Sequence, residues 1–340
     1  MEGHTFAIEH VEVTGQSVPV VDDIKVSVDG AAAFDVARNG LLAYDRGSAR
    51  EKDAHLVWVD RHGAIEPLMQ TRRELDDVRL SPNGQQIAVH IQGPNDHVWV
   101  YDLARRNSSR LTVDWNNQFP RWTPDGRRIV FRSDRAGAYN LYWQPSDGSS
   151  PAERLTESSH EQLPGTWSPD GKAFSFIEFA ASNRREIWLL SVVPERQVRP
   201  LIQTPFNNFA PRISPDGRWL AYVSDQTGRN EVYVQPFPNL GAKWPISTDG
   251  GSAPVWEPHG RELFYQSGDR VMAVAIQTHP SFVAATPHPL FAGSYEQGAY
   301  DVAPDGRFIM IEPGQPGASP AQITLVQNWF EELKRRVPTR

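Results

Sequence analysis

The stretch Ile213-Ser214-Pro215-Asp216-Gly217-Arg218-Trp219-Leu220-Ala221-Tyr222 decides the fold. Its first half is a turn: proline presets φ, aspartate bonds back to the local backbone, and glycine accepts positive φ. Its second half, Trp219 to Tyr222, is a short apolar strand. The same order returns in Leu80-Ser81-Pro82-Asn83-Gly84, Trp122-Thr123-Pro124-Asp125-Gly126 and Trp167-Ser168-Pro169-Asp170-Gly171. Looser copies are Trp256-Glu257-Pro258-His259-Gly260 and Val302-Ala303-Pro304-Asp305-Gly306, and Val36-Ala37-Arg38-Asn39-Gly40 is a degenerate first copy. The seven closing glycines, at 40, 84, 126, 171, 217, 260 and 306, stand 42 to 46 residues apart.

Each turn joins two strands. A third strand follows in Asn140-Leu141-Tyr142-Trp143, Glu186-Ile187-Trp188-Leu189 and Glu231-Val232-Tyr233-Val234, and a fourth ends near Arg110-Leu111-Thr112 and Arg154-Leu155-Thr156. Four short strands per repeat of this length is the blade pattern of a propeller. The expected fold is therefore all-β, a seven-bladed β-propeller of four-stranded antiparallel blades filling residues 1–340 as one domain, with six or eight blades as the alternatives. A ring must close or expose sheet edges. The expected velcro closure takes Ile323-Thr324-Leu325-Val326 as third strand of the last repeat and Ser17-Val18-Pro19-Val20-Val21 as its fourth. Glu9 to Val13 is then left over, and Trp329 to Arg336 reads as a short amphipathic helix.

Composition sets further bounds. With 11 Trp, 9 Tyr and 15 Phe among 340 residues, the chain can fill a large core. A net charge of −7 argues against a broad grip on nucleic acid or anionic lipid. The absence of cysteine excludes disulfides, thiolate metal sites and cysteine nucleophiles. No apolar run is long enough for membrane insertion, and the start Met1-Glu2-Gly3-His4 has no signal-peptide character; the sequence is also compatible with a fragment of a longer protein.

Several stretches carry a resemblance. Leu56-Val57-Trp58-Val59-Asp60-Arg61, Ser214 to Tyr222, Glu231 to Pro238, Gly250 to Trp256 and Asn328-Trp329-Phe330-Glu331-Glu332-Leu333 resemble the WD-like repeats of TolB-like β-propellers. More closely, they resemble the C-terminal propeller domain of bacterial membrane-anchored serine/threonine protein kinases. That resemblance implies a sensor or protein-binding role outside the membrane, downstream of a kinase or anchor region in a longer parent. The chain has no glycine-rich nucleotide loop or catalytic aspartate loop, so no kinase activity is carried over.

No Gly-x-Ser-x-Gly elbow and no His-Glu-x-x-His motif is present. Gly165 to Lys172 has the wrong spacing for a phosphate loop. The most informative positions are the inlet loops, which lead into each inner strand at one mouth of the channel. They gather Asp76, Asp77, Asn116, Asn117, Gln118, His160, Glu161, Gln162, Asn207, Asn208, Ser252, Glu296 and Gln297. Such a ring lines a water-filled pore and caps strands. It also suits a divalent metal: Ca²⁺ or Mg²⁺ on oxygens, or Zn²⁺ or Mn²⁺ on His160, Glu161 and Asp77. A metal there would serve a hydrolase or lyase, with the same three residues as ligands or base. On the inner strands, Asp35, Arg79, Arg121, Arg212 and Asp301 hold equivalent places. They read as ion pairs between blades, or as an arginine trio gripping a carboxylate or phosphate. Asp134 and Asp225, in repeated Ser-Asp loops, read as hairpin caps. Trp122, Trp167 and Trp256 recur in register as core, whereas Trp115 breaks register and is a stacking candidate. The leading expectation is a non-catalytic module that binds a peptide, protein or carbohydrate at the inlet mouth; the alternative is the metal-assisted hydrolase or lyase.

Overall fold

The computed structural model describes residues 34–45, 54–71, 74–279, 281–314 and 323–336, with 2–3, 6–7, 12–13, 18–19, 21 and 24 near the start. They fall into two compact units, one of Ala54–Pro313 and one of Met1–Asp53 with Gly314–Arg340.

The Ala54–Pro313 unit is a closed ring of six antiparallel sheets. Their inner strands are Leu75–Leu80, Asn117–Trp122, Gln162–Trp167, Asn208–Ile213, Ser252–Trp256 and Tyr300–Val302. Each inner strand packs on the next, and Tyr300–Val302 touches both Ser252–Trp256 and Leu75–Leu80, which closes the circle. Five sheets run outward in chain order, the one starting at Ser252 gaining His288–Ala292 as an added strand. The sixth is the velcro: Tyr300–Val302 and Phe308–Pro313 from the end of the unit join Ala54–Val59 and Ile65–Thr71 from its beginning.

The seven repeats give seven sheets. Six make the ring, and the degenerate first copy builds a three-stranded sheet of Phe34–Val36, Leu42–Asp45 and Ile323–Val326 in the other unit. The closing strands therefore differ from those expected. Leu56, Val57, Trp58 and Val59 are buried beside Phe308 to Ile311, as a strand covered on both faces requires. Ile323 and Leu325 are 67% and 60% exposed, so that strand has no such surroundings. Val18–Pro19 pairs with Glu2–Gly3, and Glu12–Val13 with Phe6–Ala7; Glu9, His10, Val11, Ser17 and Val20 lie outside the described residues. The helix Trp329–Arg336 forms as expected and buries Trp329 against Leu42 and Tyr44. Among the described residues no helix is long and apolar enough to cross a membrane.

The repeated turns work as their chemistry dictates. Asp125, Asp170 and Asp216 each accept a hydrogen bond from the preceding Ser or Thr hydroxyl at 2.5–2.6 Å and another from a backbone amide two residues on. The core lies between adjacent sheets. Trp122 packs with Ala88, Val98, Ile129 and Phe131, and its indole donates to Arg79 O at 3.1 Å; Trp256 repeats this bond to Arg212 O at 3.0 Å.

Candidate functional site at the inlet mouth

Four inner strands share a distortion just before the repeat motif. Strand register slips between Gln118 and Arg121, Pro164 and Trp167, Phe209 and Arg212, and Ser252 and Val255. Such bulges re-aim side chains. Phe119, Ala210 and Ala253 adopt φ of 56°, 51° and 50°, a region that costs non-glycine residues about 1 kcal/mol or more. Each precedes a proline, and all three line one cavity.

That cavity, about 390 Å³, is the inlet mouth of the ring. Phe119, Leu163, Pro164, Ile177, Phe209 and Pro211 give it apolar walls; Asp76, Asp77, Arg79, Arg121, Arg185, Arg212, Ser252 and Gln297 give it polar groups. Arg79, Arg121 and Arg212 also line a second cavity of about 290 Å³ among the Pro-Asp-Gly turns, so they form the belt between the two mouths.

The belt is mostly self-paired. Asp77, 2% exposed, holds Arg79 at 2.8 Å and receives a short hydrogen bond from Arg121. Arg79 also donates to Val78 O, Tyr300 O and Gly298 O, and Arg121 to Gly165 O and Pro120 O. These bonds tie four blades together. Asp301 accepts from the Leu80 and Val302 amides. Asp35 is not part of the belt: it lies in the other unit, where it accepts from the Val36 amide. Burial is the main force lowering Arg121, to about 10, followed by the charge of Arg79 and against the pull of Asp77. Arg212 is lowered further, to about 9, by burial and then by Arg79 and Arg121.

Beside the cavity, buried His90 has Nδ1 3.3 Å from Asp76 and Nε2 3.7 Å from Asp96, with Phe119 edge-on to its ring at 5.4 Å. Burial alone would lower its pKa, but the two aspartates outweigh it and raise it. Gln118 links Asp96 to Arg132, which stacks on Phe119 and Tyr139.

The structure thus brings Asp76, Asp77, Arg79, Arg121, Arg212, Ser252 and Gln297 together. Others proposed from the inlet loops are structural. Asn117 is fully buried and donates to Asp114 O and Trp115 O while accepting from Arg135. Asn208 is spent on Thr204 and Phe206 O, and Gln162 on Thr156 and Glu178. A carboxamide is the residue that can satisfy several loop backbone groups at once, which is why amides recur there. Asn116 and Asn207 each receive a carboxylate clasp from Asp134 and Asp225, so those aspartates pin the inlet loops instead of capping hairpins. The three metal candidates do not converge: Asp77 sits between arginines, His160 faces Glu178 at 3.8 Å, and Glu161 faces Arg132 at 3.9 Å. Among the described residues no group of three or more His, Asp or Glu is placed to hold a metal. Trp115 is 52% exposed, as a stacking residue needs, with Arg135 over its ring at 5.1 Å, but it does not line the cavity. Missed from the sequence were Phe119, Leu163, Arg185 and Phe209; the repeated proline before Arg121, Arg212 and Val255 was the available signal.

With this geometry in view, likeness to known proteins narrows the class. The TolB beta propeller domain family (PD40) matches residues 76–185. The ring is a TolB-like β-propeller. The Tol-Pal system protein TolB of Francisella tularensis subsp. holarctica is 28% identical over 153 residues, 44% of this chain and 35% of that protein. The uncharacterised peptidase YuxL of Bacillus subtilis is 24% identical over 213 residues, 52% of this chain and 32% of YuxL. The chain thus spans about a third of the length of either relative. In structure, a candidate TolB from Agrobacterium tumefaciens superposes with a TM-score of 0.64 at 18% identity, over 78% of this chain and 99% of that one, which speaks for the fold.

Proposed function

We propose that this TolB-like ring is a non-catalytic module that binds a polypeptide at its inlet mouth. The observation that carries the reading is the cavity itself: apolar walls, a few convergent polar groups, and bulged inner strands that aim them inward. The name of the Tol-Pal relative places that protein in a multi-component system, which accords with a binding role here. On the kinase-linked resemblance, the ring would be the sensing end of a longer protein, held outside the membrane by an upstream anchor. The metal-assisted hydrolase gains no support, because Asp77, His160 and Glu161 are each engaged elsewhere.

The test is a peptide-display selection on the immobilised chain. Selected peptides should lose at least about tenfold in affinity on Phe209→Asp, which places a charge in the apolar wall. They should be unaffected by Arg127→Glu, on an exposed repeat turn. Binding that survives Phe209→Asp and fails on Arg127→Glu would move the site to the other mouth.

A further inference from the structure

The charges in the channel do not balance. Arg79 and Arg121 share Asp77, and both oxygens of Asp301 are occupied by backbone amides. Among the described residues, Arg212 has no side-chain partner of its own, although the residue lines both cavities. The backbone amide of Arg185, on the same inlet cavity, donates to Asn207, but among the described residues its guanidinium has only the rings of Phe179 and Phe209 beside it, at 5.9 and 4.8 Å. A guanidinium keeps its proton inside proteins, so an unpaired one in a partly apolar channel calls for an outside anion. The depressed pKa of Arg212, caused first by burial and then by its arginine neighbours, has the sign such a missing counter-charge produces.

We propose that the inlet cavity is a site for an apolar monocarboxylate, gripped by Arg212 with Arg185 as second cation and its hydrocarbon body against Phe119, Leu163 and Phe209. The proposal rests on the inlet mouth being the binding face. Arg79, Arg121, Arg185 and Arg212 against Asp76, Asp77 and Asp301 leave one positive charge uncompensated, which one carboxylate neutralises. A phosphate dianion would set a second negative charge beside Asp76 and Asp77, both in the same wall. The planar guanidinium fork matches a carboxylate through two parallel hydrogen bonds. Such a carboxylate comes either from the end of a polypeptide or from a small free acid.

Calorimetric titration of the whole chain separates these cases. The probes are 3-phenylpropionate and its amide, and a hexapeptide ending in Phe as free acid and as C-terminal amide. Each bound acid should exceed its amide by at least about tenfold, the scale of a charge-assisted bidentate pair. Arg212→Gln should bring acid and amide within about twofold, and Arg212→Lys should restore part of the gap. The acid-to-amide ratio on the unaltered chain carries the test even if Arg212→Gln does not fold. Equal binding of acid and amide overturns this proposal while leaving the mouth as a binding face. Binding of 3-phenylpropionate without the hexapeptide upholds it and counts against a polypeptide ligand. Failure of both acids at millimolar concentration overturns it.

Discussion

Asp77 and Asn117 carry the same lesson at the scale of single residues. Both read from the sequence as inlet-loop ligand groups, yet both lie on inner strands and each is consumed inside the ring. Burial and partner geometry are properties of the fold, and a polar residue beside an inner strand carries no mark of them. Asp77→Asn leaves two arginines without their shared carboxylate and should cost about 3–5 kcal/mol. Glu161→Gln, at an exposed carboxylate, should stay within about 0.5 kcal/mol. Urea unfolding of both variants checks the contrast, and equal small losses would show that the belt is not held by Asp77. His90 makes a second prediction. The groups facing it are Asp76 and Asp96, with Gln118 and Arg132 beyond them. Its folded pKa lies above the ordinary 6.5, so the folded state holds the proton more tightly than the unfolded state. That stabilisation is complete below about pH 6.5 and is lost as pH rises through the folded value. Stability measured from pH 6 to pH 9 should fall more steeply for the unaltered chain than for His90→Gln; parallel curves would contradict the ion pairs.

At the scale of elements, the repeat turns were legible because their chemistry is local: proline, aspartate and glycine act within five residues. The bulges were not legible, since a slipped register depends on the neighbouring strand. Gly165 and Gly171 separate the two kinds of information. Gly171 closes a repeat turn at φ +68°, and a Cβ there meets nothing within 4 Å. Gly165 has no such φ, but a Cβ would lie 2.5 Å from Ser175 O and 2.8 Å from Pro211. Gly171→Ala should cost about 1–2 kcal/mol of backbone strain alone. Gly165→Ala should cost more, because backbone of its own sheet and Pro211 of the next inner strand must move apart. Thermal melts of the two variants decide this, and a milder Gly165→Ala would mean that the inner strands pack less tightly than described.

At the scale of the whole molecule, the propeller class followed from spacing alone, as did a velcro closure. Which strands close the ring did not, because Ala54–Val59 and Ile323–Val326 are both short apolar runs, and only their surroundings distinguish them. The arginine trio was visible as a set, whereas the division into two paired members and one unpaired member required the position of Asp77. The central claim is that the ring binds through its inlet mouth. Hydrogen–deuterium exchange of the whole chain, free and saturated with a display-selected peptide, tests it most directly. Slowed exchange is expected at 117–119, 163–165, 208–210 and 252–253, with the turns at 124–126, 169–171 and 215–217 unchanged. Slowing confined to those turns, or to the Met1–Asp53 and Gly314–Arg340 unit, would contradict it.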